Sequence, residues 1–254
     1  MNSTKFSHAA GHNTKLMMYL QPQFNLKEQR FTDVELLVRF KRDNGEVLTP
    51  DRFLPMIRRS NIGQEFTNWT INQALEISNK LSSAGFKGKV AINMDGEQLN
   101  EQTLSYLQNQ HSSLNTFNSI EIEVTEYLRT TPVSITANLL KKMQKLGISI
   151  SIDDFGIGSN GLEALLNFPF DKLKADKSVM SADSVKRKAI VKSLVGMTLA
   201  MNKSLVVEGV ENPDDVIDLE EWGVLNVQGF LYAKPMPLTQ FIGLLPAPGR
   251  EKVV

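Results

Sequence analysis

Short runs of β-branched and other apolar residues alternate along the chain with longer amphipathic runs. From Lys15 onward, eight short runs have the composition of buried strands. We predict strands at KLMMYL (15–20), TDVELLVRF (32–40), KVAINM (89–94), SIEIEVTE (119–126), GISISID (147–153), DKLKAD (171–176), SLVVEG (204–209) and VLNVQG (224–229).

Helices are predicted between several of these strands, at residues 66–81, 133–146, 185–201 and 213–222. Apolar residues recur there at helical spacing, Pro132 and Pro213 mark two helix starts, and Gly147 and Gly223 mark the ends. Alternating strands and helices predict parallel strands joined by right-handed crossovers. About eight strands in about 240 residues fit a closed (β/α)₈ barrel of the α/β class better than an open sheet.

The barrel is expected to form one domain over residues 15–247, between a flexible leader at 1–14 and a tail at 248–254. The leader lacks the apolar segment of a signal peptide, and no apolar run reaches the roughly 18 residues of a membrane span. We therefore expect a soluble, cytoplasmic protein with no membrane segment.

Composition narrows the class of site more than the class of fold. The chain has 28 basic and 28 acidic residues, a formal net charge of zero and no cysteine. A balanced charge argues against a general DNA-binding protein. The lack of cysteine excludes a disulfide scaffold, a cysteine-ligated zinc site, an iron–sulfur cluster and a thiol nucleophile.

Polar side chains follow the predicted strands at the ends where (β/α)₈ barrels carry their functional groups. These strand ends carry Glu35 and Arg39, Asn93, Glu123 and Glu126, Asp153 and Asp154, Lys174 and Asp176, Glu208 and Glu211, and Gln228.

Carboxylates gathered at one face repel one another, so the pattern predicts a compensating cation. The donors are all oxygen, which suits Mg²⁺ or Mn²⁺ rather than zinc or copper. Two such ions suit phosphoester hydrolysis, with Lys174 and Arg39 meeting the phosphate oxygens. A single acid at a strand end is more often a helix cap or a surface residue, and Glu126 and Glu211 are interpreted as bonding loop backbone. Asp153 and Asp154 do not fit that interpretation, because two adjacent acids directly after an apolar strand serve no purpose in the core.

Several motifs in this order resemble the EAL-domain family of bacterial cyclic di-GMP phosphodiesterases over nearly the full length after the leader. They are QP at 21–22, ELLVR at 35–39, IN at 92–93, EVTE at 123–126, DDFG at 153–156, KAD at 174–176, EGVE at 208–211, QG at 228–229 and Lys234-Pro235. The resemblance implies a modified barrel whose first strand runs opposite to the others. It also implies hydrolysis of cyclic di-GMP to linear pGpG with two Mg²⁺ or Mn²⁺ ions.

The resemblance further implies a role for each matched residue. The implied metal ligands are Glu35, Asn93, Glu123, Asp153, Asp154 and Glu208. Glu35, Lys174, Glu208 and Asp154 are the implied catalytic residues, with Lys174 and Glu208 both open as the general base. The implied substrate-binding residues are Gln21, Arg39, Gln228 and Pro235, and the implied loop-anchoring residues are Glu126 and Glu211. A homodimer is expected, and a sensory or regulatory protein partner is compatible with this expectation.

The sequence departs from the family pattern in the loop after DDFG. The family favours TGYSSL there, and this chain has IGSNGL at 157–162. This difference keeps open a second hypothesis, a weak or inactive EAL module that acts as a cyclic di-GMP receptor or a protein-interaction domain. A GxGxxG sequence at 156–161 matches a dinucleotide-binding fingerprint. It is disfavoured because Asp153 and Asp154 would repel a pyrophosphate.

Overall fold

Nine strands and eight α-helices make up the part of the chain that the computed structural model describes, residues 15–59, 62–111, 117–125, 132–155 and 161–246. The strands are β1 (Lys15–Asn25), β2 (Arg30–Lys41), β3 (Val47–Leu48), β4 (Val90–Met94), β5 (Ile120–Thr125), β6 (Ser149–Phe155), β7 (Lys172–Ala175), β8 (Ser204–Glu208) and β9 (Asn226–Gln228). The helices are α1 (Pro50–Arg59), α2 (Gly63–Ser83), α3 (Glu101–His111), α4 (Val133–Lys145), α5 (Gly161–Asn167), α6 (Ser184–Ala200), α7 (Pro213–Glu221) and α8 (Leu238–Leu244).

Eight of the strands close into a barrel in the order β1-β2-β4-β5-β6-β7-β8-β9, and β9 returns to β1. The pairs from β2 to β4 and onward to β9 are parallel. Strand β1 is antiparallel to both of its neighbours, β2 and β9. The predicted modified (β/α)₈ barrel with a reversed first strand is therefore confirmed.

Strand β1 is almost twice as long as the pattern of apolar residues predicts. It continues through Pro22 to Asn25 because it pairs with β2 along its whole length, with a register shift between Gln23 and Phe24. Strand β3 was not predicted; it adds a short antiparallel pair outside the barrel, next to Phe40.

The sequence prediction omitted helices α1, α3, α5 and α8. Helix α3, for example, buries only Thr103, Leu104 and Leu107, so its apolar stripe is too narrow to stand out. A small second core of Phe40, Leu48, Phe53, Ile57 and Phe66 lies under α1 and β3. This second core was not predicted, because neither α1 nor β3 was predicted.

Alternation along the strands separates an apolar outer layer from a polar interior. Ile120, Ile122 and Val124 of β5 are buried in the core between barrel and helices. The alternate residues Glu121 and Glu123 are also fully buried, and their ion-pair partners lie on β7, two strands away in the barrel. Residues two apart on a strand share one face, so each strand can contribute two successive polar layers to the interior.

The expected leader, the expected tail, Glu126 and residues 156–160 lie outside the described residues, so those predictions stand as they were made. No helix in the described ranges is long and apolar enough to cross a membrane.

Gly88 allows the approach to β4 to lie directly against β2. A Cβ atom at this position would overlap the carbonyl oxygen of Thr32 and the ring of Phe86. We expect Gly88→Ala to lower the free energy of unfolding by about 2 kcal/mol or more, measured by urea denaturation.

Gly196→Ala is the matched control, because a Cβ there meets no atom within 4 Å. It lies inside helix α6, where alanine should raise stability by about 0.5 kcal/mol. Equal stability of the two variants would show that the close approach at Gly88 is not required.

Candidate active site

Lys174 lies inside the barrel at the centre of four carboxylates. Its Nζ is 2.8 Å from Glu123 Oε2, 2.8 Å from Glu208 Oε1, 3.1 Å from Asp153 Oδ1 and 3.5 Å from Glu35 Oε2. The acids belong to β5, β8, β6 and β2, so five strands meet at one ammonium group. We call Glu35, Glu123, Asp153 and Glu208 the carboxylate ring.

Two amide side chains fix Glu35 within this ring. Asn93 Nδ2 donates to Glu35 Oε1 at 2.7 Å, and Gln228 Nε2 donates to Glu35 Oε2 at 2.7 Å. Both oxygens of Glu35 therefore accept a hydrogen bond from another strand, Oε1 from the adjacent β4 and Oε2 from β9, which lies on the other side of β1. These contacts join residues that are 58 and 193 positions apart in the sequence.

The electrostatics of the ring follow from burial combined with an excess of negative charge. Burial alone would raise the pKa of Glu35, but Lys174 and the two amide donors hold it below its ordinary value. Burial raises the pKa of Glu123 well above its ordinary value, and the charge of Glu35 adds to the effect. Burial, opposed by Lys174, raises the pKa of Glu208 to about 7. The ring is thus short of positive charge.

Lys174 is a cation in this arrangement. Burial lowers the pKa of a lysine, but here the attraction of the surrounding carboxylates dominates and raises the pKa of Lys174 well above its ordinary value. An ammonium group donates hydrogen bonds and has no lone pair to accept a proton. Lys174 is therefore placed as a donor at the centre of the site.

A bulge in β6 accompanies the Asp153-Asp154 pair. The register with β7 shifts between Ile152 and Phe155, and Asp154 has a left-handed backbone with φ of 54°. Burial, Asp153 and Asp176 raise the pKa of Asp154 to about 6. Bulges redirect side chains near active sites, which explains how two consecutive acids can both influence one centre.

Among the predicted substrate-binding residues, Gln228 contacts the carboxylate ring directly through its hydrogen bond to Glu35. Gln21 is paired with Glu35 across β1 and β2, and its Nε2 is 3.5 Å from Ala233 O. Arg39 is on the same face of β2 as Glu35, half-buried, with its guanidinium 5.8 Å from the ring centre of Tyr19. Pro235 precedes Met236, which bridges to Leu20 of β1.

Glu211 is exposed, and the structure assigns it no partner among the described residues, so its loop-anchoring role stays a prediction. Sequence reasoning did not single out a second ionic cluster deeper in the barrel. There Lys172 Nζ is 2.9 Å from both Asp33 Oδ2 and Glu121 Oε2. The signal was available, because these residues stand two positions before Lys174, Glu35 and Glu123.

The donor chemistry of the carboxylate ring fits a hard divalent cation. Glu123 Oε1 is buried without a hydrogen-bond partner in the described structure, so it is available as a ligand. Burial, and after it the neighbouring carboxylates, raise the pKa values of Glu123 and Glu208, and a bound cation would favour their charged forms. Among the described residues, no group of three or more His, Asp or Glu side chains is already arranged to hold an ion. The acids face Lys174 instead, so a bound cation would share them with the lysine.

Comparison with known families identifies the class. The family model described as the EAL domain matches residues 4–235. The chain belongs to the EAL domain family, as its motifs indicated.

Individual relatives agree with this assignment. The cyclic di-GMP phosphodiesterase RocR of Pseudomonas aeruginosa is 30% identical over 237 residues, which are 91% of this chain and 60% of RocR. The signaling protein YkoW of Bacillus subtilis is 30% identical over 249 residues, covering 95% of this chain and 31% of YkoW. This chain therefore spans less than two thirds of the length of either relative.

A solved structure reproduces the fold. The EAL enzyme Bd1971, in a form with cAMP and cyclic di-GMP bound, superposes with a TM-score of 0.84 at 29% identity. The match covers 96% of this chain and 68% of Bd1971.

The arrangement makes a direct prediction for stability. Lys174→Met removes the ammonium and leaves the carboxylate ring buried without its central counter-charge. We expect the free energy of unfolding at pH 8, without divalent metal, to fall by about 3–5 kcal/mol in urea denaturation.

Lys141→Met is the control, because Lys141 is exposed on helix α4. It should change the free energy of unfolding by no more than about 0.5 kcal/mol. A Lys174→Met protein as stable as this control would contradict the assigned role of the ammonium.

Proposed function

We propose that this chain hydrolyses cyclic di-GMP to linear pGpG with the help of two Mg²⁺ or Mn²⁺ ions. The observation that carries the proposal is the carboxylate ring around Lys174, completed by Asn93 and Gln228. Family membership and the similarity to RocR support the choice of cyclic di-GMP as substrate.

The reaction joins the oxygen of a water molecule to one phosphorus atom and breaks the bond from that phosphorus to a ribose 3′ oxygen. The leaving oxygen takes up a proton, so the product is a linear dinucleotide with a 5′ phosphate. Bound divalent ions supply positive charge to the phosphoryl oxygens and make the attacking water more acidic.

The residues that would hold the ions are Glu35, Asn93, Glu123, Asp153, Asp154 and Glu208. Gln228 and Asn93 orient Glu35 through the two 2.7 Å hydrogen bonds. Lys174, a cation that donates hydrogen bonds, orients the water or a phosphoryl oxygen. Arg39 adds positive charge on the same face of β2, and Gln21 and Pro235 contact the substrate beside the ring.

Other features of the proposal come from the family resemblance. The chain acts as a homodimer in the cytoplasm, with a regulatory protein partner as a further expectation. Glu126 and Glu211 anchor the loops next to the site.

Hydrolysis is tested with the purified chain, cyclic di-GMP and Mg²⁺ or Mn²⁺, with products separated by chromatography. We expect pGpG to form and its formation to stop when EDTA removes the ions. Glu35→Ala should reduce turnover by about 100-fold or more, because it removes a ligand and the acceptor for two amides. Circular dichroism should show that the variant remains folded.

Glu76→Gln is the matched control, because Glu76 lies on helix α2 in an exposed pair with Lys80. It should hydrolyse at the wild-type rate. Tight binding of cyclic di-GMP without pGpG would replace the enzyme with the receptor hypothesis. Full activity of Glu35→Ala would refute the site assignment.

Metal binding is tested without substrate. A cation that binds only the folded protein raises the free energy of unfolding with the logarithm of its concentration over the dissociation constant, by about 2.7 kcal/mol at a hundredfold excess. We expect Mn²⁺ to raise the thermal midpoint of the wild-type protein by several degrees and to have little effect on Asp153→Asn. The same shift in both proteins would mean that the ion binds elsewhere.

A further inference from the structure

We propose that Lys172 is a positioning residue for the site, acting through a second ionic layer beneath the carboxylate ring. This inference rests on the proposed hydrolysis. The layer, which we call the lower cluster, consists of Lys172, Asp33, Glu121 and Gln23.

Lys172 connects its own strand to three others across the interior of the barrel. Its Nζ is 2.9 Å from Asp33 Oδ2 on β2, 2.9 Å from Glu121 Oε2 on β5 and 3.2 Å from Gln23 Oε1 on β1. Lys172 is 5% exposed and both Glu121 and Gln23 are fully buried, so these two contacts are shielded from water, whereas the side chain of Asp33 is 20% exposed. Contacts from one ammonium group to three strands constrain the distances between those strands.

The lower cluster lies one step beneath the carboxylate ring on the same strands. Asp33, Glu121 and Lys172 precede Glu35, Glu123 and Lys174 by two residues each, and residues two apart share one face of a strand. A shift of β2, β5 or β7 at the lower cluster therefore moves a member of the ring. Displacements of about 1 Å in a catalytic arrangement can cost about 100-fold in rate.

The lower cluster also has its own ammonium group, so the charge of Lys174 is available to the carboxylate ring. Glu121 is buried two residues from Glu123, and Lys172 is its ion-pair partner among the residues that the structure describes. Without Lys172, the carboxylate of Glu121 would lie uncompensated beside the ring. The next ammonium group on the same face of β7 is that of Lys174, which already faces four carboxylates. Lys172 thus supplies a counter-charge for Glu121 at the lower cluster, two residues from Glu123.

Stability alone does not account for this cluster. Burying an ion pair costs desolvation, and well-packed apolar residues of similar volume are often as stabilising. Both carboxylate oxygens of Glu121 and Nε2 of Gln23 have no hydrogen-bond partner among the described residues, although Lys172 Nζ forms an ion pair with Glu121 Oε2 at 2.9 Å, so the cluster is not fully satisfied. What the cluster contributes besides stability is a set of contacts that hold β1, β2 and β5 at fixed distances from β7.

The test separates positioning from stability with two variants. Lys172→Met keeps the length of the side chain and removes its charge, and should lower kcat by about 10- to 100-fold with little change in KM. In Lys172→Met/Glu121→Leu the uncompensated buried carboxylate is gone as well, so urea denaturation should show stability recovered at least in part. The tie between strands is still absent, so kcat should stay low.

Leu107→Ala on the outer helix α3 provides the control for stability. It removes buried apolar volume away from the barrel interior and should destabilise the protein without lowering kcat at 25 °C. Mn²⁺ affinity, measured by calorimetry without substrate, should fall in both Lys172 variants and remain unchanged in Leu107→Ala.

Recovery of kcat and Mn²⁺ affinity together with stability in the double variant would overturn the inference. So would a loss of kcat in Lys172→Met no larger than that in Leu107→Ala. Failure of the proposed function is a different result, because the wild-type protein itself would then produce no pGpG.

Discussion

The attraction between one buried ammonium group and four surrounding carboxylates is the interaction on which the site depends. Lys174 draws together acids from β2, β5, β6 and β8 that would otherwise repel one another inside the barrel. The arrangement is under-compensated, since burial and mutual repulsion raise the pKa of Glu123 and Glu208. A site that is stable enough to fold and still short of positive charge is suited to binding cations. Bound cations would in turn attract the negative charge of a phosphodiester.

The same charges explain why the interior of this barrel is not filled with apolar residues. The outer faces of the strands pack against the helices with isoleucine, leucine and valine. The inner faces carry two successive ionic layers, each centred on a lysine of β7. Such an interior has ionic contacts in place of ordinary hydrophobic packing. These contacts hold the carboxylate and ammonium groups at fixed distances.

Much of this could be predicted from the sequence, and the omissions have physical causes. The barrel followed from alternating periodicities, and the members of the ring followed from their positions at strand ends. The direction of β1 depended on family resemblance, because a strand has the same periodicity in either direction. The bulge at Asp153 and Asp154 depends on pairing with β7, which a single strand does not encode. The lower cluster was not predicted because Asp33, Glu121 and Lys172 lie two residues before the positions at the strand ends that pointed to the site.

The reversed direction of β1 has a consequence for how the chain enters the barrel. Lys15 pairs with Lys41 at the end of β2, while Asn25 pairs with Arg30 at its beginning. In an all-parallel barrel the first strand would start at the opposite end. Here the polypeptide arrives at the rim that carries the site and passes Tyr19 and Gln21 before it reaches the floor. A displacement of Lys15 would therefore reach the end of the barrel that carries the carboxylate ring before it reached the opposite end.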